Sequence, residues 1–205
     1  MIRAVFRKSG WVLNVLLCAF PPVSAQQQSP SFQLTEAGHV EVSGRSTPFL
    51  IRHLPVSSFP QLPAAVQSAL NQRGCMIPQT YEAHAPENVV AASLARRGSA
   101  DWAVLCSEHR TVSLLVFFAG SAAQPTVLTS APETECLVAH GADGVLGFDW
   151  GIDAASPAQV HEAQTGMKRR PPLLDHDALA DSRIEQTTVY HYFSANEWTV
   201  VQTQE

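Results

Sequence analysis

The sequence predicts an α+β fold: a single domain, mainly antiparallel sheet, built on a central hairpin with two short helices. The first observation is the stretch Asp101–Phe118, DWAVLCSEHRTVSLLVFF. Two apolar runs, Trp102–Cys106 and Val112–Phe118, flank the polar turn Ser107-Glu108-His109-Arg110, the pattern of a β-hairpin. Trp102, Val104 and Cys106 share one face and Ala103 and Leu105 the other, and the second run alternates in the same way. A strand pair apolar on both faces belongs in the middle of a sheet covered on two sides. The second observation is a C-terminal hairpin, Glu185–Phe193 and Trp198–Thr203, turned at Ser194–Glu197. The third is that only two segments read as helices, so the chain has no alternating βαβ pattern.

Taken in order, His39–Ser43 alternates polar and apolar residues, and Phe49–Leu54 is apolar on alternate positions around Arg52; both are predicted strands. Pro55–Pro63 is broken by prolines. A helix opens with Pro63 at its first position and runs to Gln72 or Arg73. Its apolar stripe is Val66, Ala69 and Leu70, and Gly74 stops it. Cys75–Asn88, with Pro78 and Pro86, reads as a long connection, and Val89–Ala92 as a short strand into the central hairpin. Pro125–Thr129 and Cys136–Ala139 are further strands, while Val145–Ile152 is open between strand and loop. Ser156 as N-cap, Pro157 at the first position and Gln159 three residues after the cap mark a second helix, ending near Gln164. Gly166–Pro172 is a break whose three basic residues read as a solvated loop or an anion-binding segment.

The first 25 residues follow the plan of a secretory signal. Arg3, Arg7 and Lys8 form a basic n-region, Trp11–Phe20 an apolar h-region, and Val23-Ser24-Ala25 a cleavage site. The apolar run is about half of the roughly 20 residues that span a bilayer, so no stable membrane anchor is expected. Residues 26–38 are read as a disordered mature N-terminus and 39–205 as the domain. The mature chain keeps 10 of the 13 basic residues against all 18 acidic ones, a net charge near −8. That balance disfavours nucleic acid and anionic membrane as partners. Export places the chain in the periplasm or outside the cell, where disulfides persist. Cys75, Cys106 and Cys136 remain after cleavage. Cys75–Cys106 is the favoured bridge, with Cys106–Cys136 and Cys75–Cys136 as alternatives. The third cysteine is expected as a buried thiol.

Two stretches bear on metal chemistry. Asn88-Val89-Val90, Gly98 and Asp101–Leu105 resemble a calcium-loop repeat of the FG-GAP, integrin type, D-x-D-x-D-G-x-x-D followed by a strand. Aligned on Gly98 and Asp101, Ser93, Ala95 and Arg97 stand where the first three oxygen ligands would be. Calcium takes six to eight oxygens. Ala95 offers none and Arg97 brings a cation, so the resemblance implies the turn geometry without the metal, with Asp101 capping the turn. The other stretch is Asp175-His176-Asp177-Ala178-Leu179-Ala180-Asp181. Asp175, Asp177 and Asp181 have partial calcium-loop spacing and read either as a solvated acidic turn or as ligands for calcium or another divalent ion. His176 or His191 would then serve as an added ligand. No other cofactor is expected: the chain has no H-E-x-x-H, no G-x-S-x-G, no phosphate-binding glycine loop and no dinucleotide fingerprint.

Leu62-Pro63, Arg73–Thr80, Asn88–Ser107, Asp175–Asp181 and the Tyr190-His191-Tyr192 … Trp198 ending together resemble a family of uncharacterised exported bacterial proteins. That resemblance brings an exported address and no activity. The expected function is a periplasmic or secreted, non-catalytic binding or interaction domain for a protein or envelope component. A metal-dependent hydrolase using Asp175–Asp181 and a secreted enzyme inhibitor are the alternatives.

Overall fold

The two-faced apolar hairpin belongs between two cores, and the computed structural model places it there. The structure describes residues 34–202 apart from 122–123, 168–169, 171–172, 185 and 187. The segment read as a secretory signal, the expected disordered N-terminus up to residue 33 and part of the basic break at 166–172 lie outside the described residues. Among the described residues thirteen strands follow in chain order: β1 Leu34–Val42, β2 Arg45–Pro55, β3 Met76–Gln79, β4 Val89–Ala92, β5 Asp101–Glu108, β6 Thr111–Phe117, β7 Thr126–Pro132, β8 Leu137–Ala139, β9 Leu146–Phe148, β10 Trp150–Ala155, β11 Ala178–Arg183, β12 Thr188–Ser194 and β13 Glu197–Gln202. The helices are α1, Ala64–Gln72, and α2, Pro157–Ala163.

Nine strands form one sheet, in the order β7-β6-β5-β3-β2-β9-β8, with β1 also on β2 and β4 also on β5. β10–β13 form a separate antiparallel meander. The pairing is antiparallel throughout except between β2 and β9, where Phe49 faces Leu146 and Leu50 faces Gly147. Alternation along β5 and β6 divides two cores. Ala103, Leu105, Val112, Leu114 and Val116 face an inner core shared with Trp150, Ile152 and Leu179 of the second sheet. Val104, Cys106, Leu115 and Phe117 face an outer core closed by Val66 and Leu70 of α1. A third cluster, with Val160 of α2 against Ala155, Ala178 and Tyr192, covers the far side of the second sheet. The result is four layers: α1, the nine-stranded sheet, the four-stranded sheet and α2. Each fully buried leucine of this partition contributes roughly 1.5–3 kcal/mol.

The architecture is therefore mainly β rather than α+β, because the two helices are short covers of 9 and 7 residues on an almost continuous strand framework. β1 starts at Leu34, earlier than the sequence reading sets it, and the tight turn at Ser43-Gly44, both at positive φ, joins it to β2. The segment read as a long connection contains β3 despite Pro78. β3 meets β5 only at Met76 opposite Ser107, so no strand of β5 lies against Pro78, and Asn88 Nδ2 satisfies the Pro78 carbonyl at 2.8 Å. α2 carries the predicted capping box, with Gln159 N bonded to Ser156 Oγ and Ser156 N to Gln159 Oε1. Cys75, just past α1, and Cys106 on β5 stand at disulfide distance, Cα–Cα 5.4 Å. Cys136 is buried and free. Among the described residues no helix is long and apolar enough to cross a membrane.

Candidate functional site

The three carboxylates of the acidic stretch face different surroundings. Asp175 is exposed, with Oδ1 2.8 Å from His176 Nδ1, and that hydrogen bond, against a small opposing effect of burial, holds its carboxyl below the ordinary value. Asp177 is a clamp: its Oδ2 accepts from Ser93 N at 2.9 Å and its own N–H donates to Ser93 O at 3.0 Å. Asp181 lies inside β11, where the sequence reading expects a turn. Its Oδ1 accepts from Trp150 Nε1 at 2.6 Å and its Oδ2 lies 3.0 Å from His191 Nε2. The structure thus pairs Asp181 with His191 between the sheets and does not bring Asp175, Asp177 and Asp181 together. Asp101 is likewise committed to backbone: Leu94, Ala95 and Ala119 N–H groups donate to its two oxygens, as does the Ser99 hydroxyl.

Among the described residues, the group whose ligand atoms do converge is Glu36, His53 and Glu133, within 4.8 Å of one another. His53 continues the core-facing row Phe49, Ile51, His53 of β2. Glu36 stands opposite Ile51 in β1 and so on that same face. Glu133 opens the 3-10 turn that follows β7, and its N–H donates to Arg110 O at 3.0 Å. His53 Nε2 is 2.8 Å from Glu133 Oε1, which also accepts from the Ser107 hydroxyl. Burial alone raises the Glu133 carboxyl; hydrogen bonds from His53 and Ser107 and the charges of His53 and Arg110 outweigh it and hold it below its ordinary value. His53 Nδ1 and Glu133 Oε2 are buried without a partner. Each such atom costs roughly 1–3 kcal/mol.

The third feature is a cleft of about 360 Å³ between the loop after β3 and the β10 edge of the second sheet. Glu82, His84 and Glu87 line it from the loop, and Asp153 and Arg183 from the second sheet. The loop is held by side chains reserved for its backbone. Arg52 Nη2 donates to Thr80 O at 2.9 Å and Ala83 O at 2.8 Å. Gln79 exchanges a bond pair with Glu87, Glu87 N to Oε1 at 2.9 Å and Nε2 to Glu87 O at 3.1 Å. Glu87 Oε1 accepts from Thr80 N at 2.7 Å. Tyr81 stacks on His140 at 4.4 Å, and the pair lies where a Cβ on Gly147 would sit. Arg183 is drawn inward by Asp149 at 2.8 Å and lies 4.7 Å over the Trp150 ring. Among the described residues, Glu82, Glu87 and Asp153 thus face the cleft without an ion-pair partner. The protein around Asp153, and then the charge of Glu87, push its carboxyl above the ordinary value.

Neither Glu133 nor Asp153 carries a sequence signal, since both depend on partners far along the chain. His53 does carry one: an ionisable residue at a core-facing position of an otherwise apolar strand. Cys136 is a buried thiol, and burial raises it above its ordinary value against the counteracting charge of Arg183. The chain matches no protein-family model, no curated protein and no solved structure.

Proposed function

We propose that the chain is an exported, non-catalytic binding domain that takes a positively charged group, from a protein or an envelope component, in the cleft between residues 80–87 and β10. The observation that carries this reading is the clamped loop. Four side chain–backbone bonds from Arg52 and Gln79, with a fifth from Thr80 N to Glu87, fix the loop backbone before any ligand arrives. Preorganisation of this kind lowers the ordering cost of binding. It also holds Glu82 and Glu87 facing Asp153 across the cleft, with Arg183 already neutralised by Asp149. Burial and the charge of Glu87 both raise the Asp153 carboxyl, a setting that favours a cation, and walls of low dielectric strengthen the attraction.

The test is calorimetric titration of the full chain with spermidine and with a lysine-rich peptide. Saturable one-to-one binding is expected, weakened at least tenfold in a Glu87→Gln, Asp153→Asn double variant and absent for polyglutamate. Equal binding by wild type and double variant would refute the cleft as the site.

A further inference from the structure

We propose that Glu36, His53 and Glu133 form a binding site for one divalent transition-metal ion of the Zn²⁺ class. The donor set is one imidazole and two carboxylates. Calcium and magnesium select oxygen alone, whereas an imidazole among carboxylates suits first-row transition ions. Zn²⁺ holds such ligands at about 2.0–2.2 Å, which sets neighbouring donors roughly 3.3 Å apart in a tetrahedron. The three ligand atoms already lie within 4.8 Å of one another, so a small closing movement suffices.

Unpartnered buried atoms, besides the convergence of the three side chains, point to a ligand here. His53 and Glu133 are 3 % and 2 % exposed, yet His53 Nδ1 and Glu133 Oε2 have no hydrogen-bond partner. Buried polar atoms are nearly always partnered, and a cation bound by the Glu133 carboxylate would give its Oε2 a partner. Glu133 is also oriented from outside the group: the Ser107 hydroxyl donates to its Oε1 and the Arg110 carbonyl accepts from its N–H. Support of that kind fixes metal-binding carboxylates in place.

Glu36 supplies the way in. Its side chain is 32 % exposed on the edge strand β1, and its Oε1 partner Arg110 is an exposed guanidinium 2.9 Å away. Rotation of Glu36 toward His53 would complete three protein ligands and leave a fourth position for water. The ion would link β1, β2 and the turn after β7. The site is separate from the 80–87 cleft and does not depend on its function.

The full chain, purified without chelator, is titrated with Co²⁺ as the visible probe and followed by d–d absorbance and thermal melting. One equivalent should bind with a rise in Tm, and Zn²⁺ should displace it. Glu36→Gln, at the exposed rim, should weaken Co²⁺ binding at least tenfold and leave metal-free melting unchanged; His53→Gln should abolish binding. Should His53→Gln fail to fold, Glu36→Gln decides alone. Asp175→Asn should bind as wild type does. Absence of Co²⁺-dependent absorbance in folded wild type, unchanged affinity in Glu36→Gln, or lost binding in Asp175→Asn would overturn the proposal.

Discussion

Asn88 joins elements far apart in the chain through one buried amide. Its Nδ2 donates to Pro78 O at 2.8 Å and Trp150 O at 3.2 Å, and its Oδ1 accepts from Ile152 N at 3.1 Å. One amide thus ties β3 to the first and third residues of β10, and it does so at 2 % exposure and at φ 68°. Asparagine tolerates that left-handed backbone better than most residues. Asn88→Ala would remove one hydrogen-bond partner from each of three backbone groups, of which Pro78 O keeps Gln79 Nε2, and is expected to cost roughly 2–4 kcal/mol. A urea midpoint shift checks this; an unchanged midpoint would mean that water replaces the amide. None of this is legible locally, because the partners on β10 lie 62 and 64 positions away. His53 is the contrasting case. Its row with Phe49 and Ile51 follows from strand alternation alone, so its burial can be read in the sequence even though Glu133 cannot.

At the scale of elements, a bond between Cys75 and Cys106, which stand at disulfide distance, would join the end of α1 to the strand that α1 covers. A loop of this length, 31 residues in separation, contributes roughly 3–4 kcal/mol when closed. Cys106→Ser should therefore lower Tm by roughly 6–16 °C at the 2–4 °C per kcal/mol usual for this chain length. Reductant should lower the wild type in the same direction and leave the variant unmoved. Equal melting of wild type and variant without reductant would argue that the cysteines are unlinked. The central hairpin was readable because its information is local: apolar alternation on both sides of a short turn. Its true turn is only His109-Arg110, both at positive φ, and Ser107 belongs to β5, where it reaches Glu133. β11 was not readable. ALADSR has weak strand propensity and two charges, and it is a strand because β10 and β12 flank it on both edges.

For the whole molecule, pH should act on the cleft. Asp153 is faced by Glu82, Glu87, His84 and Arg183, and its carboxyl lies above the ordinary 3.8. The folded chain thus holds the Asp153 proton more tightly than the unfolded chain. Stability is unaffected well below 3.8, falls as pH rises toward the raised value, and levels off above it. Asp153→Asn should match the wild type in acid and melt slightly higher near neutrality; Tm measured across pH checks the sign. Spermidine binding should strengthen over the same rise in pH and weaken with salt. The two-sided burial of the hairpin, the helix positions and the final hairpin follow from pattern. The division into two sheets does not, because it depends on which strands meet, and those pairings are long-range.

The parallel pair of β2 with β9 has a consequence in time. Phe49 and Leu146 are separated by roughly a hundred residues, and contacts so distant close late. β2 also borders β1 and β3, so the middle of the large sheet stays open on one edge until residue 148 is present. A partly synthesised chain has no second sheet to cover its inner core and no β9 to seal β2. Both contacts become possible only when most of its length is available.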